Sequence, residues 1–154
     1  LVNSYSNIVV VRTFSKGLAL AGLRVGFLIF PESYVETFSK VLNVKDVNIL
    51  ALVAGQEVLK TIEDTNKNIQ ELIAGRNYAC DALNSNGLKV INGQGNFFLL
   101  KSRNPKGLMD HMRDKNILVR SRDGLPGLKG YLRISSAAVT EMKRVVEVIV
   151  AYES

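Results

Sequence analysis

Apolar residues fall first in short unbroken runs, then at helical spacing, then in short runs again. Ile8-Val9-Val10-Val11 and the stretch Val25 to Phe30 are rich in β-branched and aromatic residues. They predict buried strands over residues 5–12 and 24–30. Pro31-Glu32-Ser33 ends the second run, and Pro31 suits the opening of a short helix through about residue 40. From Asp46 to Glu63, Leu50, Ala54, Val58 and Ile62 repeat every four residues, with Ile49 and Val53 beside them. That period predicts a long helix with Asp46 as its N-cap. A second helix follows over about 64–84, with Ile69, Leu72, Ile73, Cys80 and Leu83 on one face, and Asn84-Ser85-Asn86-Gly87 stops it.

The remainder reads β-β-α-β-β-α. Strands are expected at Leu88–Ile91, Phe97–Lys101, Ile117–Arg120 and Tyr131–Ser135. Asn104-Pro105 opens a helix through Asp114, as cap and first residue. A loop is expected from Gly124 to Gly130. Thr140-Glu141 opens the last helix, whose inner stripe is Met142, Val145, Val146, Ile149 and Val150. The fold class is α/β, in two regions. Residues 1–45 read as the end of a larger sheet domain, and residues 66–154 as a small α+β domain. The helix over 46–65 connects them.

Composition narrows the class. The chain has 154 residues, 47% of them hydrophobic and 22% charged, as in globular proteins. Its apolar runs are too short to span a bilayer, and no secretory signal is visible. A single cysteine, Cys80, cannot form an intrachain disulfide, which fits a reducing, cytoplasmic compartment. Cys80 reads as a small core residue of its helix. The chain starts at Leu1 and enters strand-like sequence almost at once, so a piece of something longer is expected. The net charge of +6 suits anionic ligands. His111, the one histidine, has no catalytic partner in sequence and reads as a partly buried helix residue.

The chemistry concentrates between the first two strands, in Arg12-Thr13-Phe14-Ser15-Lys16-Gly17-Leu18-Ala19-Leu20-Ala21-Gly22-Leu23-Arg24-Val25-Gly26-Phe27. A lysine amine at a strand end can condense with a carbonyl cofactor. Thr13 and Ser15 flank Lys16 with hydroxyls that project to the same side of an extended backbone. Arg24 adds a guanidinium fork where the chain returns, and together these groups suit a phosphate. Gly17, Gly22 and Gly26 allow tight turns and close backbone approach. A surface Ser-Lys-Gly turn with a solvated arginine is the bland alternative, and it leaves the full set of residues unexplained.

Arg-Thr-Phe-Ser-Lys followed by Ala-Gly-Leu-Arg-Val-Gly-Phe resembles the cofactor-lysine motif of fold-type I pyridoxal-phosphate enzymes, most closely the histidinol-phosphate aminotransferase branch of class I/II aminotransferases. The resemblance covers essentially the whole chain and about the C-terminal half of a family member. It implies that residues 1–45 end the large pyridoxal-phosphate domain and that the small domain is the family's C-terminal one. It implies pyridoxal 5'-phosphate as cofactor, with Lys16 as the catalytic, cofactor-linked lysine. Thr13, Ser15 and Arg24 would hold the cofactor phosphate. Arg133, in Leu132-Arg133-Ile134-Ser135, resembles the arginine that grips the substrate's anionic group. Arg120 resembles a second arginine near the substrate's phosphate end, and Asn96 an asparagine that opens a strand facing the active site. The bland readings are an edge arginine or a partner of Asp123 for Arg133, a solvated strand end for Arg120, and a turn residue for Asn96.

The implied reaction moves an amino group between a phosphorylated amine or amino acid and a 2-oxo acid such as 2-oxoglutarate, in histidine biosynthesis, within a cytoplasmic homodimer. Freed Lys16 would act as general base at the substrate α-carbon. Two stretches depart from the family pattern: Val44-Lys45-Asp46, and Ile134-Ser135-Ser136-Ala137-Ala138 after Arg133. They leave room for a threonine-phosphate decarboxylase of the same branch. A truncated phosphate-binding fragment without activity is a further alternative. A nucleic-acid-binding module is disfavoured, because the aromatics sit in apolar runs rather than among lysines. Neither a nucleic acid nor a membrane is an expected partner.

Overall fold

The structure is a computed structural model that describes residues 2–41 and 47–154. It is a mixed helix and sheet protein, and its chain divides into two compact units, Leu1–Asn66 and Lys67–Ser154.

In the first unit, β1 (Val10–Thr13) pairs antiparallel with β2 (Gly26–Ile29), Thr13 opposite Gly26 and Val10 opposite Ile29. The strands are shorter than the apolar runs predict. They are also not buried: Val11 is 71% and Phe27 45% exposed, so each face of the pair carries a largely exposed apolar side chain. After a single turn at Glu32–Tyr34 comes α1 (Val35–Ser39), where the Phe38 ring lies 4.5 Å from Phe30. Helix α2 (Ile49–Lys60) is capped by Asn48, whose Oδ1 accepts from the Leu50 amide. Asp46, the expected cap, lies outside the described residues, as do Val44 and Lys45. The buried residues of α2 are Ala51 and Gly55, not the stripe Leu50, Ala54, Val58 and Ile62. This helix is apolar on almost every side, so periodicity alone does not select its inner face. Small residues decide it: a Cβ on Gly55 would lie 3.5 Å from the Phe14 ring, in ordinary contact.

Helix α3 (Ile62–Ser85) runs into the second unit, where Gly75, Arg76, Ala79, Cys80 and Leu83 are buried. Gly87, at φ 77°, turns the chain out of it, and the Leu88 amide still bonds the Leu83 carbonyl. The following strand β3 (Val90–Asn92) therefore starts later than predicted. Strand β4 (Phe97–Lys101) is followed by α4 (Pro105–Asp114), capped by Asn104 as expected. Strand β5 is only Arg120–Ser121, not Ile117–Arg120. The Ile117 amide is spent on the Met112 carbonyl at the end of α4, and Leu118 is 82% exposed. Strand β6 (Tyr131–Ser135) leads to α5 (Val139–Glu153). The sheet order is β3-β4-β6-β5, antiparallel throughout.

One face of this sheet carries Phe98, Leu100, Leu132 and Ile134, which pack with Leu83 of α3, Leu108 and Met112 of α4, and Met142 and Ile149 of α5. His111 is half-buried against Tyr152, ring centroids 5.2 Å apart. Cys80 belongs to this core at 1% exposure. Burial, partly offset by the Arg76 charge, pushes its thiol up from 9.0 to about 11. The folded chain thus keeps the thiol proton longer than the unfolded chain, and the associated stability, full below about pH 9, is lost as pH rises through 11. Cys80 is expected to resist alkylation at pH 8 in the native protein and to react after denaturation, read by mass spectrometry. A Cβ on Gly75 would strike the Ala137 carbonyl oxygen. Gly75→Ala is therefore expected to destabilise the second unit by about 1–3 kcal/mol in urea melts, as for overpacking at a backbone contact.

Candidate functional site

In the first unit the chain leaves β1 into a turn fastened by Phe14. Its ring is 7% exposed and meets Phe27 edge-on at 6.0 Å. Its amide donates to the Val25 carbonyl and its own carbonyl accepts from the Leu20 amide. Around that anchor, Thr13 Oγ1 accepts from the Ser15 amide at 3.1 Å and donates to Ser15 Oγ at 2.9 Å. Arg24 closes the loop in the left-handed conformation, at φ 54°, its Nη1 donating to the Ala21 carbonyl at 3.1 Å. Ala19 takes the other left-handed position, at φ 57°. These tight turns are thus carried by non-glycine residues. Gly22 has open space around it, whereas Gly26 shows the expected close approach: a Cβ there would lie 2.6 Å from the Arg12 carbonyl.

Thr13, Ser15 and Arg24 line one recess of about 320 Å3, together with Arg12 and other residues of both strands. Among the described residues no carboxylate lines it, and neither arginine has an ion pair. Two hydroxyl-bearing and two arginine residues in its lining are a donor set of the kind that suits an anion. Lys16 is next in sequence to Ser15 but is exposed and outside the recess lining. Its carbonyl accepts from the Ala19 amide, and its amine has no partner among the described residues.

The second unit holds the other expected residues. On the sheet face away from the core, Arg120 of β5 stands directly opposite Arg133 of β6, and Arg133 opposite Leu99 of β4. Directly opposed residues lie about 4.5–5.5 Å apart at Cβ, and like charges so placed repel. Neither arginine has an ion pair among the described residues. Asp123 does not neutralise Arg133: its carboxylate accepts from Ser121 Oγ and the Gly130 amide. The half-buried Arg133 guanidinium lies 5.2 Å from the Phe97 ring centroid. Asn96 directly precedes β4 with its side chain exposed, and its carbonyl accepts from the Ser136 amide. That bond ties the departing segment 134–138 to Asn96.

Sequence reasoning left two residues without a role. One is Phe14, read only as part of the motif. The other is Arg76, 6% exposed. Its position on the stripe Leu72, Arg76, Cys80 was the available signal, since a charge at a core position of a helix demands a partner.

Residues 1–149 match the family model for aminotransferase class I and II. The chain belongs to that family. It is 35% identical over 148 residues to histidinol-phosphate aminotransferase 1 of Carboxydothermus hydrogenoformans, covering 96% of this chain and 42% of that protein. The chain thus spans about two fifths of the length of the curated relatives it matches. Its fold superposes on histidinol-phosphate aminotransferase from Sinorhizobium meliloti in complex with pyridoxal-5'-phosphate at TM-score 0.75 and 24% identity, over 96% of this chain and 42% of that one. It also superposes on L-threonine-O-3-phosphate decarboxylase from Porphyromonas gingivalis at TM-score 0.77 and 20% identity, over 98% of this chain and 48% of that one. At these identities both structures bear on the fold alone.

Gly26→Ala is expected to force β1 and β2 apart at the recess. A loss of about 1–3 kcal/mol in thermal or urea melts, with weaker phosphate binding by calorimetry, is the expected outcome.

Proposed function

We propose that the protein to which this chain belongs is a pyridoxal 5'-phosphate-dependent aminotransferase of the histidinol-phosphate type. The amino group passes between a phosphorylated amine or amino acid and a 2-oxo acid such as 2-oxoglutarate. The observation that carries this is the carboxylate-free recess where Thr13, Ser15 and Arg24 converge, one residue from Lys16. Its donor set fits the phosphate of such a cofactor, and the identity to histidinol-phosphate aminotransferases supports the reaction. In this reading residues 1–45 end a large cofactor domain, residues 46–65 connect, and residues 66–154 form the small domain of a cytoplasmic homodimer.

When bound, the cofactor supplies an electron sink for charge developing at the substrate α-carbon. The chain's own residues do the rest. Thr13 and Ser15 would hold the phosphate through their hydroxyls, and Arg24 would neutralise it with its fork. Lys16 would offer its amine for attachment and, when its amine is free, would take the proton from the substrate α-carbon as general base. Arg133 and Arg120 receive the substrate's anionic end. Two opposed guanidiniums suit a dianionic phosphate better than a single carboxylate, which favours a phosphorylated substrate. Asn96 would contact the substrate at the entry of β4.

The test is turnover by the full-length protein. Histidinol phosphate with 2-oxoglutarate should give amino transfer, and threonine phosphate should release no carbon dioxide. Carbon dioxide release without transfer would reassign the chain to the decarboxylases of its branch. Arg133→Ala should raise KM for the phosphorylated donor by an amount equivalent to about 2–5 kcal/mol, as when a buried charge partner is truncated. Normal turnover by Arg133→Ala removes that residue's role. Arg24→Asn, which tolerates the left-handed backbone, should weaken cofactor binding while shifting the melting temperature little.

A further inference from the structure

We infer that Arg76 is a positioning residue for the substrate-binding edge of the second unit, an inference that rests on the function proposed above. Arg76 sits on α3 at 6% exposure and has no carboxylate partner among the described residues. A buried guanidinium without a counter-ion is costly, so its hydrogen bonds must answer for it. Nη1 donates to the Gly95 carbonyl at 2.6 Å, a short charge-assisted bond. Nη2 reaches Asn77 Oδ1 at 3.5 Å, and that oxygen also accepts from Asn92 Nδ2 at 3.2 Å, at the end of β3. Nε is buried with no partner.

The guanidinium therefore holds the connection between β3 and β4 from one side. The Ser136 amide holds it from the other by donating to the Asn96 carbonyl at 2.9 Å. Gly75, next to Arg76, lies against the Ala137 carbonyl, so one turn of α3 meets both the Gly95–Asn96 loop and the exit of β6. Asn96 and Phe97 follow at once, and Phe97 carries the Arg133 guanidinium on its ring. Arg76 touches none of the proposed substrate groups. It fixes the backbone from which Asn96 and Phe97 project. An apolar side chain of similar volume fills the same space but does not bind the Gly95 carbonyl.

The experiment uses the full-length protein with Arg76→Met and Arg76→Lys. Two readings are taken: amide hydrogen exchange over residues 93–98, and KM and kcat for the phosphorylated donor. Arg76→Met should exchange faster over 93–98 than wild type. Its KM should rise about tenfold, as for the loss of a hydrogen bond to a charged group, with kcat nearly unchanged. The cofactor absorbance band should be intact, because Lys16, Thr13, Ser15 and Arg24 are untouched. Arg76→Lys, which keeps the charge, should recover part of both losses. A lowered melting temperature with unchanged exchange over 93–98 and unchanged KM means that Arg76 is structural only, and overturns the inference. If wild type shows no amino transfer, the proposed function fails first, and the exchange reading alone decides whether Arg76 holds the loop. If Arg76→Met does not fold, Arg76→Lys is judged against wild type by the same two readings.

Discussion

Arg120 and Arg133 are brought directly opposite each other on adjacent strands, although like charges so placed repel. The core behind them explains why the chain tolerates this. Leu132 and Ile134, alternating with Arg133 along β6, are sealed among Phe98, Leu100 and the three helices of the second unit. Sliding β6 by one residue would bury Arg133 and expose that core, so the register is fixed by burial. The repulsion is thus imposed by the fold.

The recess of the first unit follows the same logic with a different anchor. Burying the Phe14 ring against Gly55 of α2 and Phe27 of β2 holds the turn, and the turn sets Thr13, Ser15 and Arg24 around one space. Left-handed backbone at Ala19 and Arg24 is sterically disfavoured for such residues. At Arg24 the strain has a clear return, because it lets the chain double back with a guanidinium at the recess. In both units these arginines have no ion pair among the described residues.

Much of this was legible in the chain. Strand β4, helix α4 with its Asn104 cap, strand β6 and the buried stripe of α5 carry clean period-two or helical patterns and fall where those patterns put them. The convergence of Thr13, Ser15 and Arg24 was readable from their spacing. Other features depend on contacts that periodicity does not encode. Helix α2 is apolar on nearly all sides, so its inner face is set by where Phe14 meets a glycine. Strand β5 is cut short because the end of α4 takes the Ile117 amide. The strands at the start read as buried yet are exposed among the described residues, since strand-like sequence reports a preference for burial and not what supplies it. Arg76 was hidden because the apolar residues around it completed a stripe that looked sufficient without it.

The central claim is that Lys16 is the lysine that takes the cofactor. The most direct measurement is to saturate the full-length protein with pyridoxal phosphate, reduce with borohydride and map the modified lysine by peptide mass spectrometry. Label confined to Lys16, and absent from Lys16→Ala, is the result this account predicts. Label on another lysine with Lys16 unmodified, or scattered over many lysines, would contradict it.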